Sequence, residues 1–92
     1  MSSFLFINNV SAVTYTATVT DKDGINVRSG AGTDYSIEGS LNYNAKITLV
    51  SNAKKSGDGC SGGWYQVNYG GSKSRYICSD YVKVTSSGES AT

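Results

Sequence analysis

The chain has no proline and no histidine among its 92 residues, and the lack of histidine excludes chemistry. Without imidazole, no Ser-His-Asp or Cys-His arrangement can form within the chain, and the side chain most often used to bind metals is missing. Ala, Leu and Glu are sparse, and no 11-residue window carries a helical apolar stripe, which removes an α-helical fold. Charge of either sign is low: 8 Lys and Arg against 7 Asp and Glu leave a net charge of +1. Such a balance gives no bulk attraction to nucleic acid or to an anionic membrane surface, so neither is an expected partner. The one basic run, Lys54-Lys55 beside Ser56-Gly57-Asp58-Gly59, reads as a solvated loop tip. Lys73, Arg75 and Lys83 are too few to make a basic face. The longest apolar segment near the start, Phe4 to Ile7, is far too short to span a bilayer.

What the chain does have is 11 glycines, 7 tyrosines and abundant Thr and Val, the composition of short strands joined by turns. Val13, Tyr15, Ala17 and Val19 alternate with Thr14, Thr16 and Thr18, which predicts a strand with one face on a core. Asp23-Gly24 ends the following turn, and Ile25-Asn26-Val27-Arg28 alternates again. Ile37 to Leu41 is a short strand holding Gly39, and Asn42-Tyr43-Asn44 turns the chain into Lys46 to Val50. Ser51 to Gly63 reads as a long loop. Trp64 to Tyr69 is a strand with Tyr65, Val67 and Tyr69 opposite Trp64, Gln66 and Asn68. Gly70-Gly71-Ser72 makes a hairpin turn, Arg75 to Cys78 lies in the next strand, Ser79-Asp80-Tyr81 turns, and Val82 to Val84 closes the sheet. The expected fold is all-β: one small domain, a barrel or sandwich of short strands with a single modest core.

Cys60 and Cys78 are the only cysteines, 18 positions apart. Two cysteines without histidine do not make a four-ligand zinc site, and no imidazole is present to activate a thiol, so no metal or cofactor is expected. A disulfide is the economical reading, with two buried free thiols as the alternative. A disulfide would give a small chain about 3 kcal/mol on chain-entropy grounds and would place its maturation in an oxidising compartment.

At the N-terminus, Val10-Ser11-Ala12 has the small residues that precede a signal-peptidase cut, although a basic n-region and a long apolar core are lacking. Residues 1–12 are read as a truncated signal-peptide tail or a disordered leader, with a first strand as the other reading. Residues 13–84 form the domain, and the polar stretch 85–92 reads as a linker to further chain.

The segment Gly24 to Tyr35, GINVRSGAGTDY, runs a strand into a loop with Gly30 and Gly32 two residues apart, where positive φ would allow a tight reversal. It is followed in order by IEGSL, ITLV, GGWYQVNY and SRYICSDYV. This series resembles the bacterial SH3 domain family over residues 19–84. The resemblance implies an SH3-like barrel of five to seven short antiparallel strands, here stapled by the disulfide if it forms. It also implies a secreted or cell-surface targeting module, often attached to a peptidoglycan hydrolase, that binds cell-wall peptides or glycans. The chain departs from the family pattern in several places. Ala31 stands where proline is common, the connection Tyr43 to Lys46 lacks the usual glycine, the hairpin Gly70–Ser74 lacks the glycine before its aromatic, and Ser51–Gly63 is long. The cysteine pair is not a general family feature.

Tyr15, Tyr65 and Tyr69 share faces with Val and Ala and are read as packing residues. Trp64 either caps the barrel or walls a groove. Tyr35, Tyr76 and Tyr81 are placed at loops or turns, where exposed aromatics carry recognition by stacking on sugar faces or gripping peptides. Arg28, Asp34 and Asp80 are the candidate polar selectors, with a mutual Arg28–Asp34 salt bridge as the structural alternative. The carboxylates Asp21, Asp23, Asp34, Glu38, Asp58 and Asp80 all fall in turns, loops or short strands, with no cleft for paired-carboxylate catalysis. Asp21-Lys22-Asp23-Gly24 has the wrong spacing for a calcium loop. The reading is therefore a non-catalytic, monomeric binding module for a cell-wall peptide or glycan. Two alternatives stand beside it: an accessory domain that packs on and regulates its parent enzyme, and a module for a protein partner.

Overall fold

The structure is a computed structural model and describes residues 13–88. The expectations for residues 1–12 and 89–92 lie outside the described residues. Seven strands form in chain order: β1 (Val13–Val19), β2 (Ile25–Arg28), β3 (Ile37–Leu41), β4 (Lys46–Lys55), β5 (Trp64–Tyr69), β6 (Ser72–Cys78) and β7 (Val82–Gly88). A single 3-10 turn, Ser79–Tyr81, links β6 to β7. The strands make one antiparallel sheet in the order β3-β2-β6-β5-β4-β1-β7.

Period-2 alternation decides which side chains meet. Ala17 opposes both Ile47 and Val84, Leu49 opposes Val67, Tyr65 opposes Ile77, and Ile25 opposes Leu41. These rows fall on one face. Their buried members Ala17, Val19, Ile25, Val27, Ile47, Leu49, Val67 and Ile77 form a single cluster, with Tyr15, Tyr65 and Tyr69 packed at its margin. Residues from five strands share this cluster, so the sheet is rolled around it. Ile77, Val19, Val27 and Val67 are its largest fully buried side chains. Each contributes about 1.5–3 kcal/mol relative to exposure.

The turns explain the register. Gly70 and Gly71 both have positive φ, 59° and 88°, the conformation that a two-residue hairpin between right-twisted strands requires. At the connection lacking the family glycine, Asn44 takes the left-handed role instead, with φ 69°, while Ala45 N–H donates to Asn42 O at 3.0 Å. Asn is among the few residues that tolerate this region.

Two expectations about extent are corrected. Ser51–Lys55 is not loop but the second half of β4, where Lys54 and Lys55 oppose Tyr65 and Trp64. Its polar composition hides the strand, because these residues are exposed and carry no alternation of burial. Thr85–Gly88 likewise continues β7 rather than starting a linker, and Val13 opposes Gly88 at its far end. Small polar residues there are held by backbone ladder bonds, which leave no trace in composition.

Candidate functional site

The opposite, outer face of the sheet has two halves of different chemistry. Across β5, β4, β1 and β7 the outward row is Asn68, Thr48, Thr16 and Thr85, with Lys46, Thr18 and Lys83 in the next. Across β3, β2, β6 and β5 it is Ile37, Arg28, Tyr76 and Gln66, with Cys78 and Trp64 beyond. The first half is polar and open. The second is aromatic and largely roofed by loops.

The roof consists of the loop after β2 and the loop before β5, docked on each other. Thr33 N–H donates to Asp58 O at 3.1 Å, and Gly57 sits so close to Ala31 O that a side chain there would collide with it. Neither Gly30 nor Gly32 takes a positive φ, contrary to the sequence expectation. Their requirement is steric: the Tyr35 ring folds back over both, and a Cβ on Gly30 would overlap it. Arg28 fixes the same loop from below. Its Nη1 donates to Thr33 O at 2.9 Å and to Tyr35 O at 3.0 Å. The Arg28–Asp34 ion pair therefore does not form. Arg28 is drawn to loop carbonyls instead, and among the described residues the ion pair is Arg75–Glu38 at 3.7 Å.

Beneath the roof, Cys60, Trp64 and Cys78 make a second small cluster, with Ala31 and Tyr76 against it. The disulfide is formed, with Sγ–Sγ 2.04 Å and Cα–Cα 5.6 Å. Trp64 is 3% exposed. It faces outward from the sheet yet is buried, so most of its ring packs under the loops. Asp80 also braces the structure. Its carboxylate accepts from Gly62 N–H at 3.1 Å and from Ser61 Oγ at 3.2 Å, tying the loop to the 3-10 turn. Cys60, Cys78 and Asp80 bring potential ligand atoms within 4.8 Å of one another. Both sulfurs are consumed in the disulfide, so the trio does not offer a thiolate metal site.

Two of the hollows beside the docked loops hold candidate residues. The first is an open cleft of about 430 Å³ lined by Ser29, Gly30, Ala31, Tyr35, Lys55, Ser56 and Tyr76. Tyr35 is 49% exposed at its edge. Tyr76 lies within β6 rather than in a turn, half-buried, with Lys55 Nζ 5.7 Å from its ring centroid. The second, about 240 Å³, is lined by residues that include Asp21, Asn26, Arg28, Thr33, Trp64 and Tyr81. The structure thus brings Tyr35 and Tyr76 together in one place and Arg28, Trp64 and Tyr81 in another. Asp34, exposed at the loop tip, and Asp80 line neither hollow. Sequence reasoning missed Lys55, Ser29 and Ser56. The docking of two loops distant in sequence gathers them, and only the Lys54-Lys55 run marked that stretch at all.

A rolled antiparallel sheet with aromatic hollows walled by loops defines a small β module of the binding type. The sequence pattern of the bacterial SH3 domain matches residues 23–83, about two thirds of the chain, and the chain belongs to that family. The fold is accordingly an SH3-like barrel stapled by one disulfide. No curated protein matches it in sequence. β1 lies before the matched segment, yet it sits between β4 and β7 in the sheet.

Proposed function

We propose that the domain is an extracellular, non-catalytic binding module for a cell-wall peptide or glycan, serving to place an attached enzyme or surface protein on the wall. The observation that carries this reading is the open cleft between the docked loops and β6. It offers an exposed tyrosine, a half-buried tyrosine and a lysine held over that second ring. Flat aromatic walls take up extended chains by stacking, and the two serines that line the cleft supply hydroxyls for orientation. The disulfide supports maturation in an oxidising compartment. Among the described residues no helix is long and apolar enough to cross a membrane.

The test is co-sedimentation of the purified domain with insoluble peptidoglycan. Wild-type protein should pellet, and Tyr35→Ala and Tyr76→Ala should stay in the supernatant with unchanged circular dichroism. Failure to pellet with several wall chemotypes would transfer the reading to an accessory domain that packs on its parent enzyme.

A further inference from the structure

The sheet has two edges, and they are finished differently. Among the described residues β3 is paired only with β2, and β7 only with β1. An unpaired edge offers a row of backbone N–H and C=O groups to any strand that approaches. Natural sheets therefore blunt their edges with short strands, bulges and charge. β3 carries all three. It has 5 residues, and its register against β2 shifts between Val27 and Arg28. Its Glu38 accepts from Ser36 Oγ at 2.7 Å and pairs with Arg75 at 3.7 Å.

β7 is left open by comparison. It has 7 residues, all in unbroken register with β1 from Val82 opposite Val19 to Gly88 opposite Val13. It holds no proline, and Lys83 is its only charge. Thr85, Ser86 and Ser87 are exposed and small, so an incoming backbone can approach closely.

We propose that the β7 edge is a self-association surface whose partner is β7 of a second copy of this chain, added antiparallel so that one sheet runs through both. Three features favour a second copy. The first is local charge. Antiparallel pairing over the whole strand sets Thr85 opposite the partner's Thr85, Val84 opposite the partner's Ser86, and Val82 opposite the partner's Gly88. Lys83 then faces the partner's Ser87, and lysine never meets lysine. The second is phase. In this register Val82 and Val84 stay on the inner side of both copies, and Lys83 and Thr85 on the outer side, so neither apolar row is turned to water. The third is net charge. Each chain carries only +1, so two copies meet with little long-range repulsion. The result is a closed two-fold pair with its axis at Thr85, in place of the monomer expected from the sequence. Such a pair holds two Tyr35–Tyr76 clefts, which would tighten its grip on a repetitive polymer. That consequence rests on the wall-binding reading above, whereas the pairing does not.

Sedimentation equilibrium of the whole chain, from micromolar to millimolar concentration, is the test. Wild type should pass from one copy to two. Amide exchange along Val82–Gly88 should slow as concentration rises, while exchange along β3 should not. Thr85→Lys and Thr85→Glu each set like charges face to face at the axis, and each should weaken pairing about fivefold at low salt. An equimolar mixture of the two variants should recover wild-type pairing, a rescue that misfolded chains would not show. A chain that stays single at millimolar concentration would overturn the inference, whether its own residues 1–12 or solvent occupies the edge. A dimer that neither variant weakens would overturn it too, by placing the contact elsewhere. Pairing without pelleting on peptidoglycan would remove the wall-binding reading and keep the two-fold pair, and pelleting by a chain that never pairs would do the reverse.

Discussion

The same sheet buries apolar groups on both faces, by two different means. On the inner face, alternation in five strands delivers Ala17, Val19, Ile25, Val27, Ile47, Leu49, Val67 and Ile77 to one cluster, with no covalent help. On the outer face, Trp64 and Cys78 would stand in water if the strands alone existed. They are buried because two loops dock over them and a disulfide holds one of those loops down. The inner cluster is a property of strand pairing, while the outer one is a property of loop placement. That difference explains where the hollows lie. Fully interdigitated strand faces leave no space, whereas loops laid across a surface meet it imperfectly at their margins. Both hollows open at those margins.

The comparison breaks most forcefully at the inner face. Ile77→Ala should cost about 4 kcal/mol in a denaturant titration, because its site is fully enclosed by strands that cannot collapse into the void. Removing the staple comes next. The double variant Cys60→Ser/Cys78→Ser should lose about 3 kcal/mol. Hydrogen exchange in that variant should accelerate at Thr33 and Gly63 well before it does at Leu49 or Val67. A uniform acceleration through both regions would show that the two clusters are one cooperative unit and would dissolve the distinction.

Smaller changes sharpen it. Arg28→Ala removes two bonds to loop carbonyls and should cost about 1–2 kcal/mol, read from the thermal midpoint, with the Tyr35 ring loosened over Gly30. The loss should appear in cleft binding more than in stability, since the inner cluster is untouched. Glu38→Gln breaks the partly exposed pair with Arg75 and should change stability by less than about 1 kcal/mol, shrinking further at high salt.

Much of the inner arrangement was legible in the residues. Val13–Val19, Ile25–Arg28 and Trp64–Tyr69 are strands with the bounds that their alternation predicts, and Ile37–Leu41 is the short strand expected there. Gly70-Gly71 makes its hairpin, and Cys60 and Cys78 are joined. Less was legible in polar segments. Ser51–Lys55 and Thr85–Gly88 are strands through backbone pairing alone, and exposed Ser, Thr and Lys are compatible with loop as well. The candidate site residues divide in the same way. Tyr35 and Tyr76 meet in a cleft, whereas Trp64 is buried, Asp80 is bonded to the loop backbone and Arg28 is committed to carbonyls. Nothing local distinguishes an exposed Trp from one that a distant loop will cover.

The sequence by itself determined the class of fold, the inward rows, the Gly70-Gly71 hairpin and which two cysteines could pair, because each rests on short-range periodicity, on the conformations glycine allows, or on there being a single possible cysteine pair. Only the tertiary structure decided that the loops at residues 29–35 and 56–63 lie across the outer face, that Trp64 is sealed beneath them, and that Lys55 reaches Tyr76. The docking of the two loops and the approach of Lys55 to Tyr76 join residues more than 20 positions apart, and no pattern within either segment encodes the other.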